Sequence, residues 1–296
     1  MPIKHENNRY DLRNDNIFKK FFGNPQNLKP LKLLIEALTD LEIKELFLNS
    51  TEKIVKMKES DKNDYRKILV DLLVETEEGR KINVEMQQAH QRNFLKRTVF
   101  YLSNIYIDNY GRESGENPYD GLRSCISINI LGHTEFKDDV EAASCYTLLN
   151  RKTHRDFIEK DFLSIYFLEL TKHSQDPNIQ LWIELFTKGE LVSEATEEFE
   201  DIVMKSYDEL QLTKAEEREA LRQEIARADE IDRMDAALEK GEAIGLEKGE
   251  AIGLEKGEVK RSLEMIKSLR DSNVDEEVIR KSLGKNFEYL LDESSK

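Results

Sequence analysis

Only two cysteines, five prolines and one tryptophan occur among 296 residues. Cys125 and Cys145 lie in uncharged surroundings and form no CxxC pair, so a disulfide framework and a cysteine-ligated zinc site are excluded. Both read as reduced core residues of a cytosolic chain. Long apolar runs are also missing. The longest stretch without a charged residue is Ser124 to Thr134, eleven residues. A bilayer-spanning helix needs about 20, so no membrane partner is expected. The opening residues, MPIKHENNRYD, lack the apolar stretch of a secretory signal. These absences together imply a cytoplasmic protein. There is no GxxxxGK[ST] phosphate loop, which argues against an ATPase, and no serine-nucleophile motif. The five histidines, His5, His90, His133, His154 and His173, show no metal-ligand spacing and receive no role.

Charge is abundant but uneven. The formal net charge is −15, which taken whole argues against a polyanionic partner. Residues 1–110 carry 19 Lys+Arg against 17 Asp+Glu, +2; residues 111–185 carry 8 against 13, −5; residues 186–296 carry 18 against 30, −12. The acidity belongs to the C-terminal third, and the N-terminal third can face phosphates. An aromatic share of 8% argues against wholesale disorder.

Local signals place the elements. Asp15 suits the N-cap of a short helix Asn16–Phe22, and Gly23 suits its stop. Asn27 suits the cap of a second helix with Leu31, Leu34, Ile35 and Leu38 at helical spacing. A strand near Lys53–Met57 and a polar turn at Asp61–Asp64 follow. A helix from about Gln91 to Tyr110 carries Phe94, Leu95, Val99, Leu102 and Ile105 on its apolar side. Past a loop with Gly111, Gly115 and Pro118, strands are predicted at Cys125–Gly132 and Phe162–Leu170. The rest is helical, with Pro177 opening a helix that carries Ile179, Trp182, Ile183 and Phe186, and a long charged helix beginning near Glu194.

The segment Lys67–Gln87 is the most informative. It reads as strands Lys67–Thr76 and Arg80–Gln87 joined by Glu77, Glu78 and a left-handed Gly79. A loop centred on Glu78 makes paired residue numbers add to 156, so Val74 faces Ile82, Leu72 faces Val84, and Asp71 faces Glu85. Along the second strand Lys81, Asn83, Glu85 and Gln87 point one way, and Ile82, Val84 and Met86 the other. Asp71 interrupts an otherwise doubly buried run. Two opposed carboxylates destabilise a sheet unless a cation sits between them, they share a proton, or the hairpin lies at a solvated edge. Oxygen-only ligands of this kind suit Mg²⁺ or Mn²⁺.

Asp71, followed after thirteen residues by Glu85-Met86-Gln87, resembles the D…ExQ form of the PD-(D/E)XK nuclease signature. The pattern is similar to that of the Rpn group, the PD-(D/E)XK family transposases. Asp15-Asn16-x-Phe18-Lys19, Asn83-Val84-Glu85-Met86-Gln87, then Phe94, Arg97 and Tyr101, and Ser127-Ile128-Asn129-Ile130-Leu131 carry the same resemblance, which extends from about Asp11 to the glycine repeat near Gly257. It implies an α/β, restriction-endonuclease-like mixed sheet flanked by helices, with a helical C-terminal extension. It implies a metal-dependent DNA endonuclease, associated with recombination or mobile elements, with Asp71 and Glu85 as metal ligands. Gln87 takes the place of the usual lysine; an amide can position water but cannot act as a general base. Lys81, Lys96 and Arg97 are candidates for additional positive charge, and Glu36 for a further acid. The alternative is a catalytically degenerate nuclease fold that binds DNA or protein.

The expected organisation is a nuclease-like domain at 1–185, an acidic helical region at 186–237, and a glycine-repeat and helical tail at 238–296. In that tail LEKGEAIG repeats, placing Gly241, Gly245, Gly249, Gly253 and Gly257 four apart. The stripe reads either as a flexible linker or as a face for close helix–helix approach, and it motivates a homo-oligomer formed through the C-terminal region.

Overall fold

The computed structural model describes residues 3–50, 52–56, 65–110, 117–158, 162–282 and 290, with backbone alone for 52–56 and 65–69. The turn expected at Asp61–Asp64, the end of the strand at Met57, and the loop glycines 111 and 115 lie outside the described residues. The chain divides into two compact units, Met1–Ala226 and Arg227–Lys296.

The first unit is built on a six-stranded mixed sheet. Its strands are β1 (Leu46–Leu48), β4 (Leu72–Thr76), β5 (Lys81–Gln87), β6 (Cys125–Leu131), β7 (Ala143–Thr147) and β8 (Leu163–Glu169), in the order β1-β4-β5-β6-β8-β7. Strands β5, β6 and β8 run parallel, and the outer strands pair antiparallel. Every residue of β6 is buried, as its uninterrupted CISINIL run suits a parallel strand covered on both faces. A separate two-stranded ribbon pairs β2 (Glu52–Lys56) with β3 (Tyr65–Leu69).

The expected hairpin is present with its register. Leu72 pairs with Val84, Val74 with Ile82 and Glu75 with Lys81, and Gly79 has φ +80°. The first strand, however, is not continuous from Lys67 to Thr76. It ends at Leu69, and the next begins at Leu72. The cause is Asp71: its Oδ2 accepts the Met86 N–H at 2.9 Å. A side chain thus takes a β5 donor beyond the last residue that β4 pairs, and the chain bends there.

The two sheet faces differ. Leu72, Val74, Ile82, Val84, Met86, Ile126, Ile128 and Ile130 share the main core with α1 (Asp15–Phe22), α2 (Lys29–Thr39) and α4 (Pro177–Lys188). Phe18, Phe22, Trp182 and Phe186 form its aromatic centre, with ring centroids 4.9–6.4 Å apart. Full burial of each such ring stabilises by about 1.5–3 kcal/mol. The opposite face is covered by α3 (Phe94–Ile107), through Leu102, Ile105 and Phe94. Leu95 and Val99 are exposed rather than buried; α3 turns Thr98 inward instead, because the sheet face beneath it carries Asn83, Ser127 and Asn129.

Several local expectations shift. The N-cap of α1 is Asn14, whose side chain accepts from the backbone of Asn16 and Ile17. Helix α2 has no side-chain cap; Asn27 donates to Ser206 Oγ at 2.9 Å instead. Cys145 is exposed, whereas Cys125 is buried, and burial pushes its thiol up to about 12. No single helix begins near Glu194. A short helical segment, α5 (Glu197–Phe199), a π-helical stretch at Glu200–Met204 and α6 (Lys205–Asp208) come first. They bury Phe199, Val203 and Tyr207 in the main core.

Helix α7 then runs unbroken from Lys214 to Asp271, so the glycine repeat is helical and not an open linker. In the second unit α8 (Glu276–Ser282) packs Ile279 against Ile266 and Leu290. No helix among the described residues is long and apolar enough to cross a membrane.

Candidate active site

Three elements converge beside the Asp71 bend. Strand β5 contributes Glu85 and Gln87, helix α1 contributes Lys19, and α3 contributes Arg97 and Tyr101. Asp71 is 14% exposed, and its Oδ1 lies 2.9 Å from Lys19 Nζ. Lys19 also meets Asp15 Oδ2 at 2.9 Å, so one ammonium bridges two carboxylates from different elements. Burial works to lower the Lys19 pKa, but Asp71 and Asp15 raise it overall.

The Asn83 side chain and the Asp71 backbone N–H face Glu85 and work to lower its pKa, against its burial. Its Oε1 is buried without a hydrogen-bond partner among the described residues. Both carboxyl groups are pushed above the ordinary range. For Asp71 the causes are burial and then Asp15, with Lys19 opposing. For Glu85 they are burial and then Asp71, with Arg97 opposing. Two largely enclosed acids, with Asp71 raising the Glu85 pKa and Glu85 Oε1 left without a partner among the described residues, are short of positive charge. That donor set, oxygen only and partly reachable by solvent, fits a hard divalent cation.

Gln87 is fully engaged. Its Oε1 accepts from Arg97 at 2.6 Å, and its Nε2 donates to the Ala89 carbonyl at 2.6 Å. Arg97 also donates to Gln91 and lies 5.6 Å and 5.9 Å from the ring centres of Phe94 and Tyr101. The guanidinium is therefore held in one place, beside the acids.

The chain from residue 12 to residue 240 matches the family described as PD-(D/E)XK nuclease family transposase. That span exceeds three quarters of the sequence. The protein belongs to this family. No curated protein and no solved structure matches the chain. The mixed sheet flanked by helices fits the family fold, and nucleases of this family generally use divalent metal ions.

The remaining expected residues are not gathered at the acids. Lys81 is buried at the opposite end of β5, four residues and about 13 Å along the strand from Glu85. Lys96 is exposed on α3. Glu36 accepts the Ile43 N–H at 2.9 Å, lies 3.7 Å from Lys32 and lines a cavity with Trp182 and Phe199. No described contact joins it to Asp71 or Glu85. The third acid beside the Asp71 bend is Asp15, not Glu36. Asp15 and Lys19 stand four apart on one helix, a spacing visible in sequence, but only the fold brings them to Asp71. His90 and His133, which sequence spacing left without a role, meet at Glu135.

Proposed function

We propose that this family member is a metal-dependent deoxyribonuclease that hydrolyses phosphodiester bonds in DNA, with Asp71 and Glu85 as the ligands of one Mg²⁺ or Mn²⁺. The observation that carries the reading is the acid pair, pushed toward protonation, with Glu85 Oε1 buried and unpartnered. Once bound, such a cation polarises the scissile phosphate and lowers the pKa of a coordinated water. Lys19, displaced from Asp71 Oδ1, supplies an ammonium beside the phosphate, and so takes up the cationic part of the role that Gln87 cannot play. Arg97, fixed by Gln87 and two aromatic rings, offers a second charge to a non-bridging oxygen. Gln87 orients rather than deprotonates.

Asp71 and Glu85 lie in the stretch of the chain that is nearly charge-balanced, which favours a polyanionic substrate there over the acidic C-terminal third. The assignment of the nuclease-like elements to 1–185, of the acidic helices to 186–237, which complete the same core through Phe199, Val203, Tyr207 and Ala220, and of the tail to 238–296 belongs to this proposal, as does a cytoplasmic, DNA-associated setting and a homo-oligomer formed through the C-terminal region.

A second reading is a degenerate nuclease fold that binds DNA without cutting it. The observation favouring it is that both polar atoms of Gln87 are already committed. The deciding experiment incubates supercoiled plasmid with the purified chain and Mg²⁺, Mn²⁺ or EDTA, alongside Asp71→Asn and Glu85→Gln. Metal-dependent nicking lost in both variants supports the enzyme. DNA binding with no nicking under any metal selects the second reading.

A further inference from the structure

We propose a second metal site, of the zinc class, formed by His90, His133 and Glu135. The parallel pairing of β5 and β6 brings it together. His90 lies three residues past the end of β5 and His133 two residues past the end of β6. Gly132 joins the two ends: its N–H donates to the Gln87 carbonyl at 2.9 Å, and a Cβ there would stand 3.0 Å from the Gln88 carbonyl oxygen. A side chain at 132 would push the histidine segments apart. The location, beyond the carboxyl ends of parallel strands, is where open α/β sheets bind ligands.

One oxygen, Glu135 Oε2, lies 2.8 Å from His90 Nδ1 and 3.2 Å from His133 Nε2. The three donor atoms all fall within 4.8 Å of one another. Donors about 2.0–2.1 Å from a tetrahedral zinc stand about 3.3 Å apart, close to both separations at Glu135 Oε2. The imidazole rings are nearly perpendicular, 85°, with centres 5.7 Å apart, and thus approach a common point from different directions.

The loop that carries His133 and Glu135 is braced independently. Buried Glu169 accepts the backbone N–H of Glu135 at 2.6 Å and of Phe136 at 3.1 Å. Lys172 pairs with Glu169 and donates to the Phe136 carbonyl at 2.7 Å. Phe94 packs against His133. His133 and Glu135 are therefore preset and mostly enclosed, while His90, 63% exposed, forms the open side through which an ion enters.

The donor set separates this site from the acid pair, with which it shares no residue. Two imidazoles and one carboxylate suit Zn²⁺ and its transition-metal neighbours, whereas Mg²⁺ prefers oxygen. Three protein ligands leave a fourth position to water or to a ligand atom. Binding ties the segment after β5, which holds Gln87 and Gln91 against Arg97, to the loop after β6. His133 Nδ1 is buried with no partner among the described residues. With Nε2 on the metal, its proton has no acceptor, so affinity falls roughly 10–100-fold below that of a site with a complete outer shell.

The test uses the full chain carrying Asp71→Asn and Glu85→Gln, so that the acid pair cannot bind the probe. Zn²⁺ is titrated by calorimetry, and Co²⁺ is followed by its visible absorption. About one ion per chain is expected, undisturbed by millimolar Mg²⁺. Adding His90→Ala or Glu135→Gln should weaken binding more than about tenfold. His90 is exposed, so its loss leaves the core intact and circular dichroism unchanged. No Zn²⁺ uptake in the double-variant background overturns the proposal, and so does an affinity unmoved by His90→Ala. Either result leaves the nuclease reading untouched, because that reading rests on other residues.

Discussion

Lys19 Nζ stands 2.9 Å from Asp71 Oδ1, placing a lysine of the first helix at the acid that bends the sheet. The ammonium sits where a divalent cation must compete for the same oxygen. Lys19→Gln should therefore leave Mg²⁺ affinity equal or higher, measured by calorimetry, while plasmid cleavage falls at least about tenfold, as typical for losing a positioned charge. The metal-free fold should lose about 1 kcal/mol, since the pair is partly exposed. Weakened Mg²⁺ binding with cleavage unchanged would remove Lys19 from the mechanism.

A pH dependence follows from the acid pair, which titrates as a unit. Burial and Asp15 lift Asp71 to about 6, and burial and Asp71 lift Glu85 to about 8. Ordinary unfolded values lie near 4. Between these limits the folded state holds more protons than the unfolded state, so metal-free stability falls as pH rises from about 4 toward about 8. Glu85→Gln removes the steepest contribution and should flatten the profile. Mg²⁺ competes with those protons, so its stabilising effect should grow over the same interval. Melting temperatures at several pH values, with and without Mg²⁺, check both slopes. A metal-free stability that climbs through this window would contradict the placement of the acids.

Gln87 cannot simply be exchanged for the lysine common in this signature. Its Oε1 accepts from Arg97 at 2.6 Å, and a lysine there would set two cations against each other. Gln87→Lys alone should lower cleavage, and Arg97→Gln should restore part of it in the double variant. A double-mutant cycle reads the coupling, expected at about 0.5–3 kcal/mol for residues in contact. Additive effects would mean that the Gln87–Arg97 contact does not matter to the reaction.

The parts of this arrangement legible in the sequence were those with short-range rules. Gly79 and a loop centred on Glu78 set the β4–β5 register, and that register placed Glu85 and Gln87 on one face. The apolar runs of β6 and β8 marked buried strands. The break at Val70–Asp71 was hidden because the apolar run continues across it; a tertiary bond to the Met86 N–H makes the bend. Strands β1 and β7 are short edges with exposed residues and no alternation. Leu95 and Val99 misled because α3 covers a sheet face with polar residues at its centre. Lys19 and the histidine cluster depend on pairings between residues far apart in sequence, which spacing cannot express.

The C-terminal unit offers the last test. Because Phe199, Val203, Tyr207 and Ala220 lie in the main core, a stable nuclease fragment should extend to Ala226, the end of the first unit. By light scattering that fragment should be smaller in oligomeric state than the full chain if the tail joins copies; equal states would end the proposal. The glycine stripe itself is a poor seam. An α-helix turns about 100° per residue, so glycines four apart advance about 40° each, and Gly241 and Gly257 end up roughly 160° apart. A Cβ added at any of the five meets nothing within 4 Å among the described residues. Alanine at all five should therefore raise tail stability by about 0.5–1 kcal/mol each, seen as a higher melting temperature in circular dichroism, and leave the oligomeric state alone. Dissociation of the alanine variant would show instead that a second copy approaches the helix closely at the glycines.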